Sequence, residues 1–369
     1  MKTPIYLDYA ATTPVSSAAA AAAAPYYAAR FFNPLSAHSL GQKAAAAIEL
    51  SREKCAAAIN ARASEIVFTS GGTDAVNKAV TYALDGAKKR IVISAIEHDS
   101  VFAVAEHIGK YGYTVDCVSP SADGVITPEA LEKAMDGDTA LVCVMTVNNI
   151  TGVIQPISEL CAIAHRHGAL FFTDAVQAVN SLSINVRETD VDFLAVSGHK
   201  FYAPKGVGVL YVRSGIKKAL NPFGYGKHEG TPDVPSVAAI GEAAEIAARA
   251  VSENREHAEK IKSAFLGELN CGIEVCNGVA KIPDIVSVTF DGVNGGRLAV
   301  ALSIAGVCCS VGSACSAGSA TPPRALSAMG LKNADSSVRF SFGAQTTADE
   351  AVCAARIVND TVARLTKKS

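Results

Sequence analysis

No charge of one sign dominates this chain: 33 basic residues meet 35 acidic ones, for a formal net charge of −2. That balance supplies no attraction to a polyanion, so neither nucleic acid nor an anionic membrane is expected as a partner. Pairs of the form Cys-x-x-Cys or His-x-x-x-His are also missing, and with them the usual spacing of a metal site. Long apolar runs are absent. The hydrophobic fraction of 49% is inflated by alanine, and the alanine run at 18–24 is too short and too weakly apolar to span a bilayer. The opening residues 1–8 lack the apolar stretch of a signal peptide. The ten cysteines are irregularly spaced, with Cys117, Cys143 and Cys161 in apolar runs. They read as reduced thiols in a cytoplasmic protein rather than a disulfide framework.

What is present is a rhythm. Short apolar runs at 65–68, 90–93, 114–118, 140–144, 169–173, 193–196 and 207–212 alternate with amphipathic stretches at 73–84, 100–110, 128–135 and 157–166. This alternation predicts an α/β fold with a mostly parallel sheet covered by helices on both faces. Ligands in such sheets bind at the carboxyl ends of the strands. The alanine-rich stretch near 18–29 predicts a helix. Residues 221–235 read as a loop and 237–269 as one long helical stretch. Strand-like runs at 284–290 and 337–342 suggest a smaller α/β domain. The length suits two domains, a large cofactor-binding one at 18–250 and a small one from 1–17 and 251–369.

The candidate residues stand at strand ends. Lys200 closes the run Asp192-Phe193-Leu194-Ala195-Val196-Ser197-Gly198-His199-Lys200. Burying an ammonium there disfavours its charge and leaves an amine able to form a Schiff base with a carbonyl or with pyridoxal phosphate. The plain alternative is a solvated lysine. Ser70-Gly71-Gly72-Thr73-Asp74 follows an apolar run and opens a helix, which suits an anion cradle or an ordinary glycine turn capped by Thr73. Asp174 ends another strand, either as a helix cap or as the partner of a cofactor's ring nitrogen. His98 offers an imidazole for stacking or proton transfer, though a lone histidine is more often structural. Asn148 and Asn149 could be no more than turn residues. Cys315 sits in a small, polar run where a thiol would be accessible. Arg339 is a carboxylate fork or a solvated strand residue. Each signal is weak alone; their order along successive strand ends makes the parts of a pyridoxal phosphate site.

In that order the chain resembles the cysteine desulfurases of the class V aminotransferase family, in the nitrogenase and iron–sulfur-assembly branch. The likeness runs from Tyr6-Leu7-Asp8-Tyr9-Ala10-Ala11-Thr12-Thr13-Pro14 to Val338-Arg339-Phe340-Ser341. Its most specific segments are Ser197-Gly198-His199-Lys200 and Gly312-Ser313-Ala314-Cys315-Ser316. The resemblance implies an aspartate-aminotransferase-like fold type I homodimer, pyridoxal 5'-phosphate as cofactor, L-cysteine as substrate and a sulfur-acceptor protein as partner. It implies Lys200 as the Schiff-base lysine and Asp174 on the ring nitrogen. Gln177 and Asn149 would flank the ring hydroxyl, and His98 would stack on the ring. Gly72, Thr73, Ser197 and His199 would hold the phosphate, joined across the dimer by Thr231. Arg339, with Asn149, would bind the substrate carboxylate. Cys315 would take the sulfur as a persulfide, leaving L-alanine.

Three departures stand out. Ile150 replaces a family glutamate, removing a charge expected next to the cofactor. The glycine-rich stretch before Thr231 is compressed to 224–232, lacks the family's arginine and carries Glu229. The chain also ends soon after its last helix, where family members that serve an iron–sulfur scaffold have a longer tail. These departures keep two alternatives open: a related lyase acting on selenocysteine or another amino acid, and a cofactor-binding homologue without catalysis.

Overall fold

A computed structural model describes residues 3–84, 87–216, 230–312 and 322–366. Its main sheet has seven strands in the order β2-β8-β7-β6-β5-β3-β4. These are β2 Ile66–Thr69, β3 Arg90–Ser94, β4 Thr114–Val118, β5 Thr139–Cys143, β6 Leu170–Asp174, β7 Phe193–Ser197 and β8 Gly208–Val212. Neighbours from β4 to β7 pair in parallel, and β8 runs antiparallel to both β7 and β2. The central strands β5, β7 and β8 are buried throughout. Both of their faces are therefore covered, which explains runs such as Phe193-Leu194-Ala195-Val196 without polar alternation.

The helices α3 Gly72–Ala83, α4 Asp99–Gly109, α5 Pro128–Ala134, α6 Ile157–Arg166 and the short α7 Val186–Thr189 connect these strands. Before them, α1 Ser17–Tyr27 and α2 Ser39–Ala58 pack against α8 Val234–Arg249. The expected single helix over 237–269 is two. At Ala250 the helical dihedrals lapse, and its N–H closes α8 onto Ile246 O and Ala247 O. The chain then re-enters helix as α9 Val251–Glu268. The break lets α8 stay on α1 and α2 while α9 turns to α12 Ala348–Thr366. No glycine or proline marks it; the two packing surfaces dictate it.

A second, antiparallel sheet has the order β12-β10-β9, from β9 Ile273–Glu274, β10 Ile285–Thr289 and β12 Ser337–Ser341. Beside it β1 Ile5–Tyr6 pairs in parallel with β11 Val307–Cys308, next to α10 Gly295–Ile304; α11 Arg324–Ala328 follows β11. A separate core that includes Leu7, Phe265, Phe290, Leu298, Phe340 and Val358 lies under this sheet. Cys143 and Cys161 are buried as expected, but Cys117 is exposed. It lies on β4, the edge strand of the main sheet, where only Val118 is buried. Among the described residues no helix is long and apolar enough to cross a membrane.

Candidate active site

β6 and β7 end side by side, and the turns that follow them build the floor of a cavity of about 240 Å³. Asp174 is the last residue of β6 and is 6% exposed. Its Oδ1 accepts from Val176 N–H at 2.8 Å. Burial raises the pKa of its carboxyl, and the nearby His98 and Lys200 oppose that shift by favouring the anion. A cationic ring nitrogen in the cavity would oppose it further.

After β7 the chain makes one tight turn, Gly198–Lys200, that swings Lys200 into the cavity. Gly198 anchors the turn, its N–H donating to Val207 O at 3.0 Å while its carbonyl accepts from Phe201 and Ala203. Lys200 Nζ donates to Ala10 O at 2.5 Å and to Ala11 O at 2.9 Å. The segment carrying those carbonyls is strapped over the turn, with Thr13 N–H donating to His199 O at 2.8 Å and Thr13 Oγ1 accepting from Tyr202 N–H. Sequence reasoning gave no role to Ala10 or Ala11. Their contribution is through main-chain carbonyls, which leave no mark in side-chain identity.

One end of the cavity suits an anion. α3 begins at Gly72 with no side-chain cap, so its first N–H groups lie open beside Thr73, Ser197 and His199. Gly71 has φ 144°, a conformation that glycine tolerates. A Cβ on Gly72 would come within 3.2 Å of Val176, so the backbone must approach bare. His199 is pushed down to about 4, chiefly by burial and secondarily by Lys200 and Lys205, so it is neutral at pH 7. Its Nδ1 lies 3.2 Å from Thr12 Oγ1.

His98 caps α4. Its Nδ1 accepts from Ser100 N–H at 3.2 Å, which assigns the ring proton to Nε2. Gln177 is oriented by donating from Nε2 to Ala10 O at 3.0 Å. At the other end Arg339, on β12 and 2% exposed, donates to Asn149 O at 2.8 Å and to Asp8 Oδ1 at 2.9 Å. Its Nε is buried with no partner, a donor lacking the carboxylate its fork is shaped to hold. Sequence reasoning overlooked Asp8, whose pairing with Arg339 spans 331 positions of chain.

Gly72, Thr73, His98, Asn149, Asp174, Gln177, Ser197, His199, Lys200 and Arg339 thus line one cavity. Thr231 does not. It is exposed and lines a separate groove with Ser70, Asp74 and Gly206. Cys315 and Glu229 lie outside the described residues, as do 224–228 of the compressed stretch and the last three residues. Cys309 is pushed up to about 12 by burial, which makes it a poor nucleophile. Asn148 is structural: its Oδ1 accepts from Ile150 N–H and Thr151 N–H, both at 3.0 Å, and its Nδ2 donates to Ile96 O. Ile150 is 5% exposed and belongs to the main hydrophobic core, not to the cavity wall. The expectation that this substitution removes a charge beside the cofactor is therefore corrected. A roomier cavity of about 320 Å³, lined by Cys55, Ile59, Val196 and Ala244 among others, gathers no charged side chain and offers no comparable chemistry.

Residues 5–352 match the family described as aminotransferase class-V. The chain is 38% identical to "Cysteine desulfurase IscS" of Dictyoglomus turgidum, over 95% of this chain and 92% of that protein. Among solved structures, a "NifS-like protein" superposes with a TM-score of 0.92 at 29% identity, covering 98% of this chain and all of the other. A second, described as "SspA in complex with cysteine", gives a TM-score of 0.80 at 31% identity, covering 91% and 98%.

Proposed function

This chain belongs to the aminotransferase class-V family, and on that premise we propose that it is a pyridoxal-phosphate-dependent cysteine desulfurase converting L-cysteine to L-alanine. The observation that carries the reading is the single cavity joining Lys200, Asp174, an open helix start and the unpartnered Arg339 Nε. The cofactor fits these residues. Gly72, Thr73, Ser197 and His199 would hold its phosphate, Asp174 its ring nitrogen, and Lys200 its aldehyde carbon. His98 would cover one ring face and Gln177, with Asn149, would flank the hydroxyl. Bound there, pyridoxal phosphate supplies an electron sink that weakens bonds at the substrate's Cα and Cβ.

The protein's own groups do the rest. Arg339 takes the substrate carboxylate through Nε, with Asn149 beside it, and so fixes which bond faces the amine. Lys200 removes the proton from the substrate Cα and returns one during product formation. Asp174 would hold the positive charge of the ring nitrogen, a cation that opposes the burial raising its pKa. The thiolate of Cys315 attacks the substrate sulfur. A sulfur–sulfur bond forms as the carbon–sulfur bond breaks, and the electron pair of that bond returns to Cβ, where a proton completes alanine.

Several finer points belong to the same reading. The chain works as a homodimer in which Thr231 serves the neighbouring copy's phosphate. Support comes from its exposure and from its groove behind the Ser70-Gly71 turn. Residues 18–250 form the cofactor-binding domain, and 1–17 with 251–369 the smaller one. A sulfur-acceptor protein in iron–sulfur assembly receives the persulfide. The compartment is the cytoplasm, in keeping with the free state of the nine described cysteines. The argument from Ile150 for a different amino-acid substrate falls away, since that side chain lies in the core.

The test is direct. Purified protein mixed with L-cysteine should release alanine and leave cyanide-labile sulfur on Cys315. A Cys315→Ala variant that made alanine and transferable sulfur as well as the parent would remove Cys315 from the mechanism.

A further inference from the structure

Beside Lys200 lies a second chamber of about 20 Å³, which Thr73 does not line. It is large enough for one water molecule and little else. Ala10, Val176, Gln177 and Lys200 line both this chamber and the main cavity, so they form the wall between the two. The other polar residues in its wall are Thr13, Asn180, Asp284, Tyr9 and Tyr202.

Three strand ends contribute polar walls. Asn180 follows β6, Lys200 and Tyr202 follow β7, and Asp284 immediately precedes β10 of the second sheet. Asn180 Nδ2 donates to Lys200 O at 2.8 Å, while its Oδ1 is buried with no partner. An orphaned acceptor beside a polar chamber of this size is the mark of an ordered water. Tyr202 is held at φ 67°, in the left-handed region that a bulky residue rarely adopts. It stays there because its N–H donates to Thr13 Oγ1 and its hydroxyl accepts from Ala344 N–H. The chamber is thus a built feature of the turn that presents Lys200.

We propose that this chamber holds an ordered water through which Asp284 positions Lys200 and sets its protonation, making Asp284 a positioning residue for proton transfer. The inference rests on the reading of Lys200 given above. Asp284 touches no substrate. Its Oδ1 accepts from Ser181 Oγ at 2.7 Å, Arg255 of α9 favours its charge, and Tyr9, Tyr202 and Lys200 line the same chamber. Burial raises its carboxyl to about 6, so its charge changes near neutral pH. An ionised Asp284 stabilises a positive charge on the lysine nitrogen; a neutral one does not.

Three measurements on the holoenzyme test this, using Asp284→Asn, which keeps the shape and the acceptor for Ser181. A crystal structure of the parent should show a water between Asp284 and Asn180. In the variant, the pH midpoint of the Schiff-base absorbance should move down, because an anion near the protonated nitrogen is gone. The turnover number should fall severalfold while KM for L-cysteine stays within about twofold. Ser181→Ala, which leaves the carboxylate in place but removes a hydrogen bond that favours its charge, should move that midpoint in the same direction by less. A dry chamber, or an absorbance titration indifferent to Asp284→Asn, overturns the inference alone. So does a Ser181→Ala midpoint that moves as much. A parent protein without any lysine chromophore after reconstitution overturns the cofactor reading and this inference together.

Discussion

At the amino-terminal ends of β6 and β7, Cys161, His165 and Asp192 line up as thiol, imidazole and carboxylate; at the carboxyl ends of the same strands stand Asp174 and Lys200. By residue type the first group is the more familiar catalytic series. Cys161 Sγ lies 3.7 Å from His165 Nε2, and that nitrogen lies 2.8 Å from Asp192 Oδ2. Yet nothing there is left to react. His165 spends both ring nitrogens on carboxylates, Nδ1 facing Asp190 at 3.4 Å. Asp192 also accepts from Phe171 N–H and pairs with Arg213. Cys161 is wholly buried, its thiol donates to Asp190 O, and burial pushes its pKa far up. The Lys200 end has the opposite character: a cavity, a buried carboxylate in want of a cation, and an arginine nitrogen without a partner. Unmet partners around an opening, more than the identity of the residues, separate a site from a strut.

Asp174→Asn breaks the comparison hardest. It keeps the size of the side chain and the acceptor for Val176 N–H but removes the anion. Activity with L-cysteine should fall by roughly 10²–10³-fold, the scale on which a preorganised electrostatic partner is lost. Steady-state assays on reconstituted protein decide it. Activity within about threefold of the parent would mean that Asp174 is a helix cap and that the two clusters differ less than their geometry says.

His165→Ala probes the other end. It should leave turnover unchanged and cost about 1–2 kcal/mol of stability, since Asp192 loses one buried hydrogen bond but keeps Arg213 and Phe171 N–H. Urea unfolding followed by circular dichroism measures the cost. A loss of alanine production without a loss of stability would give the Cys161 cluster a chemical role.

Much of this contrast was legible before any coordinates. The apolar runs at 140–144 and 193–196 announced buried strands, and their order placed Asp174 and Lys200 at neighbouring strand ends, where ligands of such sheets bind. The charged and most polar residues of the Lys200 cavity were found because each carries its chemistry in its side chain, and Gly72 because its glycine turn opens a helix. What escaped notice acts through other means. Ala10 and Ala11 work through carbonyls, and Asp8 works through a partner hundreds of residues away. The break at Ala250 comes from two packing surfaces, with no local breaker. Ile150 was misread for the converse reason. Its neighbour Asn149 lines the cavity, but side chains of adjacent residues in a turn diverge, and Ile150 points into the core.

Glu97 supplies the finest test, because it sits on the Lys200 side yet resembles the closed cluster. It is 5% exposed, and its Oε1 accepts from Ser94 Oγ at 2.5 Å and from Met145 N–H at 2.7 Å. Burial raises its pKa to about 8, and the Asp174 anion adds to the rise. The folded protein therefore keeps a proton on Glu97 at neutral pH that the unfolded chain releases near its ordinary value of 4.5. This group's contribution to stability is complete below that value and declines as pH climbs toward 8, because the unfolded state is the one that sheds the proton. Glu97→Gln cannot ionise, so the variant should gain on the parent by roughly 2 kcal/mol between pH 6 and pH 8. Urea unfolding of both proteins at the two pH values reads the difference. A gain of that size means that Asp174 is the only ionised carboxylate at this corner of the cavity, its charge free to meet a cation. No gain means that Glu97 is already ionised beside it, and that the open site carries two negative charges where the comparison with the Cys161 cluster assigns one.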